Sequence, residues 1–178
     1  MKKVLVIGCP GSGKSTFARR PLYPLDLLWH RPDKTTVSEA EFDAALAEIL
    51  RKDRWIIDGN FSRTLERRLA ECDTVFLFDL PLADCIAGVE TRIGTKREDM
   101  PWIETEFDPE FREFITHFSE TRLPNIYALL EKHRDKTLTV FHSRAECEVY
   151  KIPAAEALED RYERNKPNRP FRPAVRGA

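Results

Sequence analysis

The sequence predicts a three-layer α/β domain on a five-stranded, mainly parallel sheet. Short apolar runs alternate with segments of helical period, the signature of strands connected by helices. Most of the candidate strands lack polar alternation, as parallel strands covered on both faces do. The first of them runs into a glycine-rich turn, Gly8-Cys9-Pro10-Gly11-Ser12-Gly13-Lys14-Ser15, which opens a helix.

The candidate strands are 4–7, 22–25, 55–58, 74–79 and 138–142. A helix begins near Lys14, and Pro21 stops it after about two turns. A parallel crossover needs about a dozen residues, so this connection is feasible but tight. Either the first helix is truncated or residues are missing between Ser15 and Leu22, with a break near 19–22. Ser38 and Glu41 form a capping box ahead of the stripe Phe42, Ala45, Leu46, Ile49, Leu50. Asp108 precedes Phe111, Phe114, Ile115 and Phe118, whose spacing reads as core packing. Pro124 suits the first turn of a helix presenting Ile126, Leu129 and Leu130. Ser143 and Glu146 make a further capping box. A helical extension from 154 ends in "KPNRPFRPAVRGA", a basic tail without apolar mass that reads as disordered.

Length favours one domain over 1–153, with 154–178 as the extension. Hydrophobic content of 42% beside 33% charged residues fits a soluble protein, and a net charge of −1 supplies no field for nucleic acid outside the tail. Cys9, Cys72, Cys85 and Cys147 are scattered without CxxC or metal-ligand spacing, which reads as reduced thiols in a cytoplasmic protein. The apolar start is too short for a signal peptide, and no run approaches the roughly 20 residues of a membrane span. The expected state is a monomer or homodimer.

The glycine-rich turn matches GxxxxGK[ST] between a strand and a helix, the context in which the pattern binds phosphates. Side chains there would block the backbone from wrapping phosphate oxygens. Gly8 through Thr16 form the expected nucleotide site. Lys14 would reach the β- and γ-phosphates, and the Ser15 hydroxyl would face Mg²⁺, making ATP and Mg²⁺ the expected cofactors. A GTPase needs NKxD to read its base; "NKPN" at 165–168 has Asn168 instead and lies in the tail. Motor and AAA-type ATPases are longer chains, which leaves the small-kinase branch.

"WIIDGNFSRT" at 55–64 resembles the DGFPRT segment of adenylate kinases with one residue more. "DTVFLFDLP" at 73–81, followed by Arg92, resembles their FDVP turn and the arginine that begins the lid. The chain is more similar still to the DNA topology modulation proteins, adenylate-kinase-like P-loop proteins. It carries "GCPGSGKST", "PLYPLD", "WIIDGNFSRTL", "DLP", "REDM", "TRLP" and "SRAE" in that family's order, over residues 1 to about 150. It departs from the family at Pro24, usually histidine, at Pro124, displaced by Leu123, and in the short segment after Ser15. The resemblance implies strand order 2-3-1-4-5, nucleotide at the carboxyl ends of the strands, and a small helical lid over about 92–118.

Phosphoryl transfer needs cations converging on phosphates and an acid near the metal or acceptor. Asp58 ends a strand beside the phosphate loop and would organise Mg²⁺ through water; the plain alternative is a carboxylate capping a turn. Asp79 reads as structural from its likeness to the FDVP turn. The resemblance makes Arg63 an acceptor-phosphate arginine aimed by the turn at Gly59 and Asn60, and a planar guanidinium suits that task. Asp26 falls in the acceptor region, where a carboxylate could take a hydroxyl proton or bind a ribose. Arg92, beside Lys96 and Arg97, and Arg122 of "TRLP" are the expected lid and transfer arginines, against solvated surface charges. His142 and the Cys9 side chain read as structural.

The expected function is an ATP- and Mg²⁺-dependent phosphotransferase acting on a small acceptor, either a nucleotide or another hydroxyl or amine compound. The alternatives are a nucleotide-dependent regulator of DNA topology, with nucleic acid touching only the tail, and an ATPase without an acceptor.

Overall fold

The computed structural model of the protein describes residues 1–18 and 22–150, the side chain of Leu22 excepted. The expected break near 19–22 and the expected extension over 154–178 therefore lie, apart from the backbone of Leu22, outside the described residues. Five strands, β1 (Lys3–Gly8), β2 (Leu22–Pro24), β3 (Trp55–Asp58), β4 (Thr74–Phe78) and β5 (Thr137–Phe141), form one sheet. Its order is β2-β3-β1-β4-β5 and every pairing is parallel, so the sheet is all-parallel rather than mainly so. The order and the glycine-rich turn after β1 make this a P-loop fold of the nucleotide-kinase type.

Every residue of β4 and all but the first of β1 are buried, which requires cover on both faces of the sheet. β5 lies at the edge and leaves Thr137 and Leu138 exposed. The cover comes from α1 (Lys14–Phe17), α2 (Leu25–Trp29), α3 (Glu39–Leu50), α4 (Ser62–Glu71), α5 (Leu82–Glu90), α6 (Pro109–Thr116), α7 (Phe118–Thr121), α8 (Leu123–Lys132) and α9 (Arg144–Val149). The chain leaves β1 towards β2 and β3 on one side, then returns past it to β4. This reversal opens a crevice at the carboxyl ends of β1 and β3.

The capping box at Ser38 and Glu41 forms as expected, and α3 buries Phe42, Leu46, Ile49 and Leu50. Asp108 caps α6, whose ring stripe packs Phe114 against Phe118 at 5.9 Å. At Ser143 the box is shifted: Ser143 accepts from the Glu146 amide, while Glu146 accepts from the amide of His142. The expected second strand loses Leu25 to α2, where this side chain is fully buried. The first helix has four residues rather than two turns. Phe17 ends it among Phe76, Phe78 and Phe141, at centroid distances of 5.0, 5.4 and 5.2 Å, so the core anchors what the short helix cannot support alone.

Arg68, with no exposed surface, shapes the turn after β3. Its guanidinium donates to the carbonyls of Gly59, at 2.7 Å, of Asn60, and of Phe61, at 3.1 Å. Phe61 sits at φ 31°, a conformation unfavourable for a bulky residue. Burial pulls the Arg68 pKa down to about 9, and the carbonyl ligands are what make the charge tenable there. Arg68→Met strands three carbonyls and should lower unfolding free energy by about 3 kcal/mol or more. The exposed neighbour Arg67→Met should stay within about 0.5 kcal/mol. Urea titration of both variants checks this, and equal midpoints would show that Arg68 does not hold the turn.

Candidate functional site

The β1–β3 pairing sets Val6 beside Asp58, so the phosphate loop and the Asp58 turn leave the sheet side by side. Asn60 joins them: its Oδ1 accepts from the Gly8 amide at 3.0 Å and its Nδ2 donates to the Gly8 carbonyl at 2.9 Å. Beneath the loop lies α5. A Cβ on Gly11 would stand 2.0 Å from the Cys85 carbonyl oxygen, and one on Gly88 would stand 1.9 Å from the Gly11 carbonyl oxygen. Glycine at both positions is therefore what lets loop and helix touch. Arg144, of the "SRAE" phrase, donates to the carbonyls of Gly11 at 3.0 Å and Asp84 at 2.8 Å, locking the loop to α5 from above.

Inside this frame Lys14 is buried and donates to the Cys9 carbonyl at 2.8 Å, spanning the loop. Ser12 is buried with an unpartnered hydroxyl. The Cys9 thiol is pushed up by Cys85 and by burial, which leaves it an inert wall. Thr16 faces solvent. With α1 reduced to one turn, a bound anion would rest on loop amides and Lys14 more than on any helix dipole.

Ser15 Oγ lies 2.6 Å from Asp58 Oδ2 and 2.7 Å from Asp99 Oδ2. Asp58 is 6% exposed, its Oδ1 has no hydrogen-bond partner among the described residues, and burial raises its pKa against the pull of Lys14 and Ser15. Asp99 behaves oppositely. Burial works against its charge, but Arg97 donates to both its oxygens, at 2.9 and 2.8 Å, and holds it below the usual carboxylate range. A hydroxyl and carboxylates are hard oxygen donors of the kind Mg²⁺ takes together with water and phosphate oxygens, so the residues present fit that ion. Among the described residues no three His, Cys, Asp or Glu side chains gather as a metal site by themselves.

Asp26, in the first turn of α2, faces the same space and senses the charges of Asp58, Lys14, Asp99 and Arg97. One turn on, His30 stacks edge-on with Trp102 at 5.0 Å, its Nδ1 is buried without a partner, and burial lowers its pKa. Arg92 approaches from beyond α5, 3.6 Å from Glu104 and 5.9 Å from the Phe111 ring centroid, its pKa lowered by burial and then by Arg97.

Two expected site arginines point elsewhere. Arg63 donates twice to Asp43 of α3, at 2.9 and 2.8 Å, and its Nε lies 3.7 Å from Glu39. Arg122 is exposed over the Phe114 ring at 5.6 Å. Asp79 accepts from Tyr127 at 2.7 Å and His142 leans on the Asp79 carbonyl at 3.3 Å, which fits the structural reading of both. Sequence reasoning missed Asp99, Arg68, Arg144, His30 and Trp102. Asp99 and Arg144 stand inside the motif words "REDM" and "SRAE", which was the available signal. His30 and Trp102 carried none, because they meet only across the folded chain.

Burial, and then the Asp58 charge, raise the Asp26 pKa to about 6. The native state therefore holds a proton that the unfolded chain releases near pH 4, and its stability declines as pH rises from about 4 to 6 through this group. Asp26→Asn should flatten that decline. Urea unfolding across pH 4–7 measures it, and identical slopes in both proteins would remove Asp26 from the buried cluster.

No family model matches the chain, and no curated protein matches it. Among solved structures it is similar to the shikimate kinase of Bacteroides thetaiotaomicron, at 17% identity, with 91% of this chain and 96% of that chain covered and a TM-score of 0.49.

Proposed function

We propose that the protein is an ATP- and Mg²⁺-dependent phosphotransferase acting on a small acceptor. The observation that carries this reading is the junction of the phosphate loop with Asp58: Lys14 buried within the loop, and Ser15 against a carboxylate that β3 delivers. Loop amides and Lys14 would hold the nucleotide phosphates, while Ser15 and Asp58 would hold Mg²⁺, directly or through water. The ion would neutralise charge spreading over the transferred group. On binding, Lys14 exchanges the Cys9 carbonyl for phosphate oxygens. Its side chain needs no long excursion, because the loop surrounds both.

The acceptor would lie between α2 and the segment 91–108. Asp26 is the one carboxylate in the first turn of α2, and its raised pKa suits it to take a proton from a hydroxyl or amine near neutral pH. His30 and Trp102 would wall this pocket, and Arg92 would serve the phosphates from the other side. Arg63 is already engaged by two acids of α3, so its use on an acceptor phosphate would first require release from Asp43. The DNA topology reading rests on the family resemblance alone.

Transfer of the γ-phosphate from labelled ATP, measured with Mg²⁺ across nucleosides, nucleoside monophosphates and small metabolites, tests the proposal. Lys14→Ala should abolish transfer, and Asp26→Asn should lower kcat by about 10²-fold or more with nucleotide affinity kept. Arg63→Ala should cost less than tenfold. A loss of transfer in Arg63→Ala comparable to that in Lys14→Ala would restore an acceptor phosphate beside Arg63. Tight Lys14-dependent ATP binding without transfer to any acceptor would sink the phosphotransferase and favour nucleotide sensing.

A further inference from the structure

Ser15 Oγ carries a single hydrogen, yet it stands within hydrogen-bond distance of two carboxylate oxygens, at 2.6 and 2.7 Å. With both carboxylates ionised, that hydrogen serves one contact at a time, and the other then sets oxygen lone pairs against each other. Asp58 adds a second mismatch at the same point, because its Oδ1 is buried with no hydrogen-bond partner among the described residues. Three hard oxygens and an orphaned lone pair converge here, and among the described residues no donor reaches Asp58 Oδ1.

We propose that Asp99 is the third protein ligand of a divalent cation held with Ser15 and Asp58, so that the segment between α5 and α6 is part of the metal site. Separations of 2.6–2.7 Å need open only by a few tenths of an ångström to become the edges of an octahedron with metal–oxygen distances of about 2.1 Å. The remaining positions fall to water and phosphate oxygens. Asp99 arrives ready for this role. Arg97 pairs with it and with Glu104 at 2.7 Å, and the Gly94 amide donates to the Glu104 carbonyl at 2.7 Å. These bonds fold the segment into a hook with Asp99 in its bend. Trp102, farther along, meets His30 on the acceptor side. Cation binding would thereby fix the phosphate loop, β3 and this hook in one arrangement, and order the wall of the acceptor pocket before the acceptor arrives. The cation's use in transfer rests on the function proposed above; its binding does not.

Titration of the nucleotide-free full chain with Mn²⁺, following the free ion by electron paramagnetic resonance, tests the assignment. Wild type should bind one ion. Asp99→Asn should weaken it about tenfold or more and Asp99→Glu less. Glu98→Gln removes the same charge from an exposed neighbour and should change affinity less than twofold. Thermal unfolding in EDTA reports whether each variant is folded, and Asp99→Glu carries the comparison if Asp99→Asn is not. No binding by wild type, an unchanged or tightened affinity in Asp99→Asn, or equal losses in Asp99→Asn and Glu98→Gln would each overturn the proposal. Phosphoryl transfer alongside Asp99-independent Mn²⁺ binding would reject the third ligand and keep the enzyme. Asp99-dependent binding without transfer would do the reverse.

Discussion

The Asn60 carboxamide both accepts from and donates to Gly8, and this pair of bonds decides where the phosphate loop departs from the sheet. Asn60 itself is held by the turn that Arg68 shapes through three carbonyls. A buried arginine on α4 thus sets the position of a loop it does not touch. Each hydrogen bond contributes only about 1 kcal/mol net. Their joint effect is geometric: β1 and β3 end in register, Ser15 lands against Asp58, and no larger rearrangement is needed to assemble the site.

From the other side the loop rests on α5, with Gly11 and Gly88 removing the side chains that would hold them apart and Arg144 tying both together. The frame leaves several acids close to one another in a partly dry crevice. Their opposite responses follow from their partners. Asp99 keeps its charge because Arg97 donates to both oxygens, whereas Asp58 and Asp26 lack such a fork and are raised by burial. Groups whose pKa values are driven apart within one crevice are suited to different tasks, which in the proposed phosphotransferase would be charge stabilisation and proton transfer.

The helix periodicity and caps read from the chain hold well. α3 begins at Ser38 and α6 at Asp108 because those side chains satisfy free amides of their own first turns. Errors fall where tertiary contacts intervene. α1 is shorter than its propensity allows, and Phe17 is captured by the ring cluster of β4 and β5. Leu25 reads as the end of an apolar strand, but its burial against the turn at Gly59 belongs to α2. Arg63 and Arg122 occupy motif positions, and their partners are an acidic helix face and an aromatic ring that no motif records.

The phosphate loop, the individual strand segments and the helix starts depend on neighbours a few residues apart, so spacing along the chain determines them. The candidate cation site depends on Ser15, Asp58 and Asp99, separated by 43 and 84 residues from the hydroxyl that joins them. Whether an acid in "REDM" reaches that hydroxyl or stays in water turns on how Arg97, Glu104 and Gly94 fold the intervening hook. Those bonds lie in a segment whose two ends belong to α5 and α6. Hydrogen-bonding capacity is a property of the residue; which partner uses it is a property of the packed molecule.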